Sequence, residues 1–109
     1  MSDWTRVAKV DDVKPGNLKQ VFVDGEPVCL ANIDGELLAV DDVCSHEYVM
    51  LSGGYLEEDE VECPQHGSKF NLRTGDVINL PATQPIAVFE MKVDGDEVFV
   101  RPTPAPLDK

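Results

Sequence analysis

The feature that most constrains this chain is a pair of short segments, Cys44-Ser45-His46 and Cys63-Pro64-Gln65-His66, set sixteen residues apart. Together they offer two soft thiolates and two imidazoles. Each lies in loop-forming sequence: Asp41-Asp42 precedes the first, Gly53-Gly54 follows it, Pro64 lies inside the second and Gly67 closes it. Loops suit a metal centre because its ligands converge from separate stretches of chain, and backbone N–H groups are expected to stay free to face it.

Three metal chemistries compete for such a set. A structural zinc site takes two Cys and two His, but usually pairs like with like in each half, whereas each half here pairs one Cys with one His. A blue-copper site uses two imidazoles and one thiolate with a nearby Met. Met50 is close, yet the second Cys is then idle. A Rieske-type [2Fe–2S] centre puts two thiolates on one iron and two imidazoles on the other. Two loops that each offer one ligand of both kinds can straddle it.

The segments Cys44-Ser45-His46 and Cys63-Pro64-Gln65-His66-Gly67-Ser68 resemble the Rieske signature. The rest resembles the small Rieske ferredoxins of bacterial aromatic-ring-hydroxylating oxygenase systems. Leu51-Ser52-Gly53-Gly54, Phe70-Asn71-Leu72-Arg73-Thr74-Gly75, Leu80-Pro81-Ala82-Thr83-Gln84-Pro85 and the closing hairpin all fit, so the likeness covers nearly the whole chain. It implies a [2Fe–2S] cluster with Cys44 and Cys63 on one iron and His46 and His66 on the other. The His-bound iron accepts the electron, because imidazole donates less negative charge than thiolate. The 80–85 stretch is implied to cover the cluster from a third side.

The same resemblance implies an electron carrier with no catalytic residues of its own. It takes one electron from an NAD(P)H-dependent flavoprotein reductase and passes it to a terminal oxygenase in aromatic hydrocarbon catabolism. Two alternatives stay open. One is a Rieske-type small subunit of another reductase complex such as nitrite reductase, although such subunits often lack the ligands. The other is a zinc-binding interaction module without redox activity. High-potential Rieske proteins carry an extra Cys in each ligand loop and a Tyr near a ligand sulfur. This chain has Val49, Gln65 and Phe70 at those places and keeps Ser68.

The 109 residues fit one domain with little core to spare. Lys and Arg total 9 against 21 Asp and Glu, a formal charge of −12. Such a chain repels nucleic acid and anionic membranes and is attracted to basic protein surfaces. It has no apolar run of the roughly 18 residues that a membrane span needs, and its start lacks the pattern of a secretory signal. The expectation is a cytoplasmic monomer. Cys29, among Val28, Leu30 and Ala31, is expected to pack as core.

Along the chain the pattern is strands and turns, with no amphipathic helix. Strands are expected at residues 4–10, 18–23, 26–33, 36–40, 55–57, 61–63, 69–72, 77–80, 87–93 and 97–101. Asp24-Gly25 and Asp34-Gly35 mark two-residue hairpins, and Asp94-Gly95-Asp96 marks a third. Glu57-Glu58-Asp59-Glu60 reads as an acidic turn between the two ligand loops. Residues 47–51 form a largely apolar patch, read as core of the cluster region with a partner-facing rim as the second reading. The expected architecture is all-β: an antiparallel sandwich or barrel with an inserted cluster-binding subdomain near residues 43–70, and a Pro-rich tail at 102–109.

Overall fold

The computed structural model describes residues 4–44, 49–65, 67–79 and 84–101. His46, His66, residues 45, 47 and 48, the 80–83 part of the proline stretch and the 102–109 tail lie outside them.

Alternation and Asp-Gly turns build the middle of the chain. Strands β2 (Leu18–Val23), β3 (Glu26–Ile33) and β4 (Glu36–Asp41) form an antiparallel meander. At its two turns Asp24 and Asp34 both have φ 53°, and Gly25 and Gly35 have φ 82° and 97°. Two successive positive φ values define the primed turn whose twist matches that of paired strands. Strand β1 (Thr5–Lys9) and the closing hairpin of β8 (Val88–Asp94) and β9 (Glu97–Arg101) complete a six-stranded sheet. Its order is β1-β9-β8-β4-β3-β2. The two edge strands, β1 and β2, approach each other, so the sheet is nearly a barrel.

Strand β3 shows why its sequence is apolar without a break. Val28 and Leu30 point into the barrel interior with Val21, Val23, Ala39, Val98 and Val100. Cys29 and Ala31 point the other way, into a second cluster with Leu51, Val61, Phe70 and Leu72. Successive strand residues face opposite sides, and here both sides are covered. Strand β4 repeats the division, with Leu37 and Ala39 inside and Val40 outside.

The second cluster is roofed by a three-stranded sheet, β5 (Tyr55–Glu57), β6 (Glu60–Glu62) and β7 (Lys69–Asn71). Leu56, Val61 and Phe70 pair in one row across it and face the core, while Tyr55, Glu62 and Lys69 form the next row on the outer face.

Three local expectations change. The acidic turn shrinks to Glu58-Asp59, because Glu57 and Glu60 form the last pair of the β5–β6 ladder and Glu58 takes φ 56°. The expected strand at 77–80 reduces to a single bridge between Phe70 and Val77. Its ladder ends because the Asn79 side chain, not a backbone carbonyl, accepts the Lys69 N–H at 2.6 Å. Val10 leaves the first strand for a 3₁₀ turn over Val10–Asp12, where the Asp12 carboxylate accepts the Lys9 N–H at 2.9 Å. Among the described residues no helix is long and apolar enough to cross a membrane.

Candidate metal centre

The two cysteines of the motif start two loops that are closed in the same way. The Cys44 N–H donates to the Val49 carbonyl at 2.9 Å, and the Cys63 N–H donates to the Ser68 carbonyl at 2.7 Å. Each loop therefore closes five residues after its Cys, and each contains its His between the two ends. A bridge between Val43 and Met50 extends the first closure, and the pairing of Glu62 with Lys69 extends the second. The expectation that backbone N–H groups stay free to face the metal changes here. At Cys44, Cys63 and Gly67 the N–H groups are used within the loops, since so short a loop needs its base fastened.

Both thiols enter the same environment. Cys44 is 2% exposed and Cys63 is 1% exposed, and both belong to the cluster of Leu51, Val61, Phe70 and Leu72. Two cysteines nineteen positions apart in sequence thus deliver their sulfurs to one dry region between the sheets. Ser68 is fully buried beside them in the chain. The apolar patch after the first loop divides: Leu51 is core, Val49 packs against it, and Met50 is half-buried.

A model of the Rieske [2Fe–2S] domain matches residues 3–90. The chain belongs to the Rieske family. The biphenyl dioxygenase ferredoxin subunit of Pseudomonas sp. (strain KKS102) is 41% identical over 98 residues, covering 89% of this chain and 90% of that one. The ferredoxin of carbazole 1,9a-dioxygenase from Nocardioides aromaticivorans IC177 has a TM-score of 0.89 at 35% identity, over 94% of this chain and all of that one. A complex of reduced oxygenase and oxidised ferredoxin in carbazole 1,9a-dioxygenase gives a TM-score of 0.86 at 35% identity, over 93% of this chain and 94% of the matched one.

The cofactor of this Rieske domain is therefore a [2Fe–2S] cluster, and the zinc and copper readings fall away. The residues present fit it. Two buried thiols in an apolar surround supply the soft ligands that a cluster of iron and sulfide takes.

Sequence reading missed what holds these loops in place. Asp42 served there only as a loop former, yet its side chain is fully buried and fastened to Ser52 and Gln20. Gly54 and Gly75 permit backbone contacts that no side chain allows. At Gly75, with φ 82°, an added Cβ would run into the Ile86 carbonyl, and the Ile86 N–H donates to the Gly75 carbonyl at 2.9 Å. That contact anchors the returning end of the proline stretch. The Glu62 carboxylate reaches over Gly67 of the second loop. Cys29 is core as expected: it is fully buried, and burial, with the Asp42 charge second, pushes its thiol well up.

Proposed function

We propose that Cys44, His46, Cys63 and His66 hold the cluster and that this chain is a one-electron carrier between an NAD(P)H-dependent flavoprotein reductase and a terminal ring-hydroxylating oxygenase. It works as a cytoplasmic monomer and a single domain over residues 1–109, with residues 43–70 as its cluster-binding subdomain. The observation that carries the reading is the pair of buried thiols, each on a loop fastened by its own N–H and both facing one core. The close relationship to dioxygenase ferredoxins, and a matched ferredoxin in complex with its oxygenase, support the partners. They favour the carrier over the small-subunit reading.

When bound, the cluster supplies a one-electron couple at ~−150 to +300 mV. The chain's residues prepare for it. Cys44 and Cys63 would bring two negative charges to one iron, and the neutral imidazoles of His46 and His66 would leave the other easier to reduce. Leu51, Phe70 and Leu72 keep water from the sulfur side. With the cluster bound, the rings of His46 and His66 would serve as the electron's exit, as the resemblance to Rieske ferredoxins implies.

The test is ligand replacement. Cys44→Ser and Cys63→Ser each yield little or no cluster, because a hydroxyl is a poor substitute for thiolate, and the 43–70 region loses order with it. Two irons and two sulfides per chain in the Cys44→Ser protein would sink the assignment.

A further inference from the structure

Among the described residues, Asp42 is held by five hydrogen bonds beside the candidate centre. Its Oδ1 accepts the Ser52 N–H at 2.6 Å, and its Oδ2 accepts both the Ser52 hydroxyl and the Gln20 side-chain N–H at 2.8 Å. Its own N–H donates to the Pro27 carbonyl at 3.2 Å, and its carbonyl accepts the Leu51 N–H at 2.6 Å. The residue is 0% exposed and lies two positions before Cys44.

We propose that Asp42 is the positioning residue of the first ligand loop and that its buried charge holds the reduction potential of the centre low. The inference rests on the reading that Cys44 holds the cluster.

The positioning half follows from where the bonds go. The loop leaves the core after Asp42 and returns at Leu51-Ser52, so bonds from Asp42 to both returning residues fasten its two ends together. Gln20, on β2, adds a tie to the barrel sheet, two strands away from β4. A loop closed only by the Cys44–Val49 bond could swing as a unit. One that is also fastened at 42 and 52 keeps its Cys in register with the partner loop.

The electrostatic half follows from burial. The donors that reach the carboxylate among the described residues are neutral, so they solvate its charge without cancelling it. A charge buried in protein is screened far less than one in water. Asp42 stands two residues before Cys44 and is bound to Ser52 and to Leu51 of the core cluster that holds both cysteines, so its charge lies close to the centre. The reduced centre carries one more electron than the oxidised one. A fixed negative charge therefore disfavours reduction.

The experiment uses cluster-loaded protein, with iron content, visible and electron paramagnetic resonance spectra, and voltammetry at low and high salt. Asp42→Asn keeps the side-chain shape and removes the charge. Its midpoint should move to a more positive value, and the shift should persist at high salt. The exposed-site control Glu58→Gln should show a smaller shift that vanishes with salt. Ser52→Ala removes one donor and leaves the carboxylate less well solvated, so its midpoint should move the other way.

Opposite signs separate this role from a merely structural one. A midpoint in Asp42→Asn that is unmoved or lower overturns the proposal. If that variant holds no cluster, Ser52→Ala decides, and an unmoved or higher midpoint overturns it. Either result with the cluster still lost in Cys44→Ser leaves the ligand assignment standing. A full cluster in Cys44→Ser removes both.

Discussion

Gly54 lies directly against the backbone of Glu62: a Cβ at position 54 would overlap the Glu62 carbonyl oxygen and come within 3.0 Å of Pro64 Cδ. This contact presses the exit of the first ligand loop onto the strand that leads to Cys63. It brings the exit of the first loop against the entry to the second, mainly through backbone.

Gly54→Ala therefore forces the chain apart at that point. Overpacking of this kind costs about 1–3 kcal/mol, and the displacement falls on the residues that carry Cys63. The expected outcome is a lower urea midpoint for the cluster-loaded protein together with less iron per chain. Full iron content and an unchanged midpoint would show that the backbone relaxes without cost.

Cys29 should be chemically silent in the native protein. Burial and the nearby Asp42 charge raise its thiol, so the reactive thiolate is scarcer than for an ordinary Cys at the same pH. Treatment with iodoacetamide at pH 8, followed by mass spectrometry, should leave Cys29 unmodified until denaturant is added. Rapid labelling of the folded protein would contradict its place in the core.

Charge should steer docking. Residues 36–79 hold ten carboxylates and only two cations, Lys69 and Arg73, so eight of the twelve net negative charges lie there. Even these cations are engaged, Arg73 with Glu36 at 2.9 Å and Lys69 with Glu57 at 3.3 Å. Electron-transfer rates with the proposed flavoprotein reductase, at limiting carrier, should fall as salt shortens screening to ~8 Å at physiological ionic strength. A rate that stays flat would mean that apolar contacts around the loops dominate.

The potential should lie toward the low end of the Rieske range, on the order of −150 mV. Phe70 is fully buried in the cluster that holds both cysteines and has no hydroxyl to donate to sulfur. Hydrogen bonds to sulfur raise the potential, so Phe70→Tyr should raise it and Ser68→Ala should lower it. A midpoint above roughly +100 mV by voltammetry, well up in the family range, would show that these positions do not control it.

What the sequence determined by itself was chemical and local. The spacing of Cys44, His46, Cys63 and His66 narrowed the cofactor to three metal chemistries, and the resemblance to the Rieske signature implied a [2Fe–2S] cluster. The Asp24-Gly25 and Asp34-Gly35 turns, flanked by apolar runs, located the turns of the meander, with β4 ending one residue later than expected, because a two-residue primed turn fixes the register of its own strands. What only the tertiary structure decided depends on partners far along the chain. Periodicity could not say that β3 feeds two separate cores, since a strand covered on both faces loses its alternation. The 77–80 segment had the composition of a strand, but a side chain ten residues from Lys69 took the bond that would have extended its ladder. Asp42 looked like one acid among twenty-one. Its burial became visible only when Gln20, twenty-two residues before it, and Ser52, ten residues after it, supplied the donors that a buried carboxylate requires.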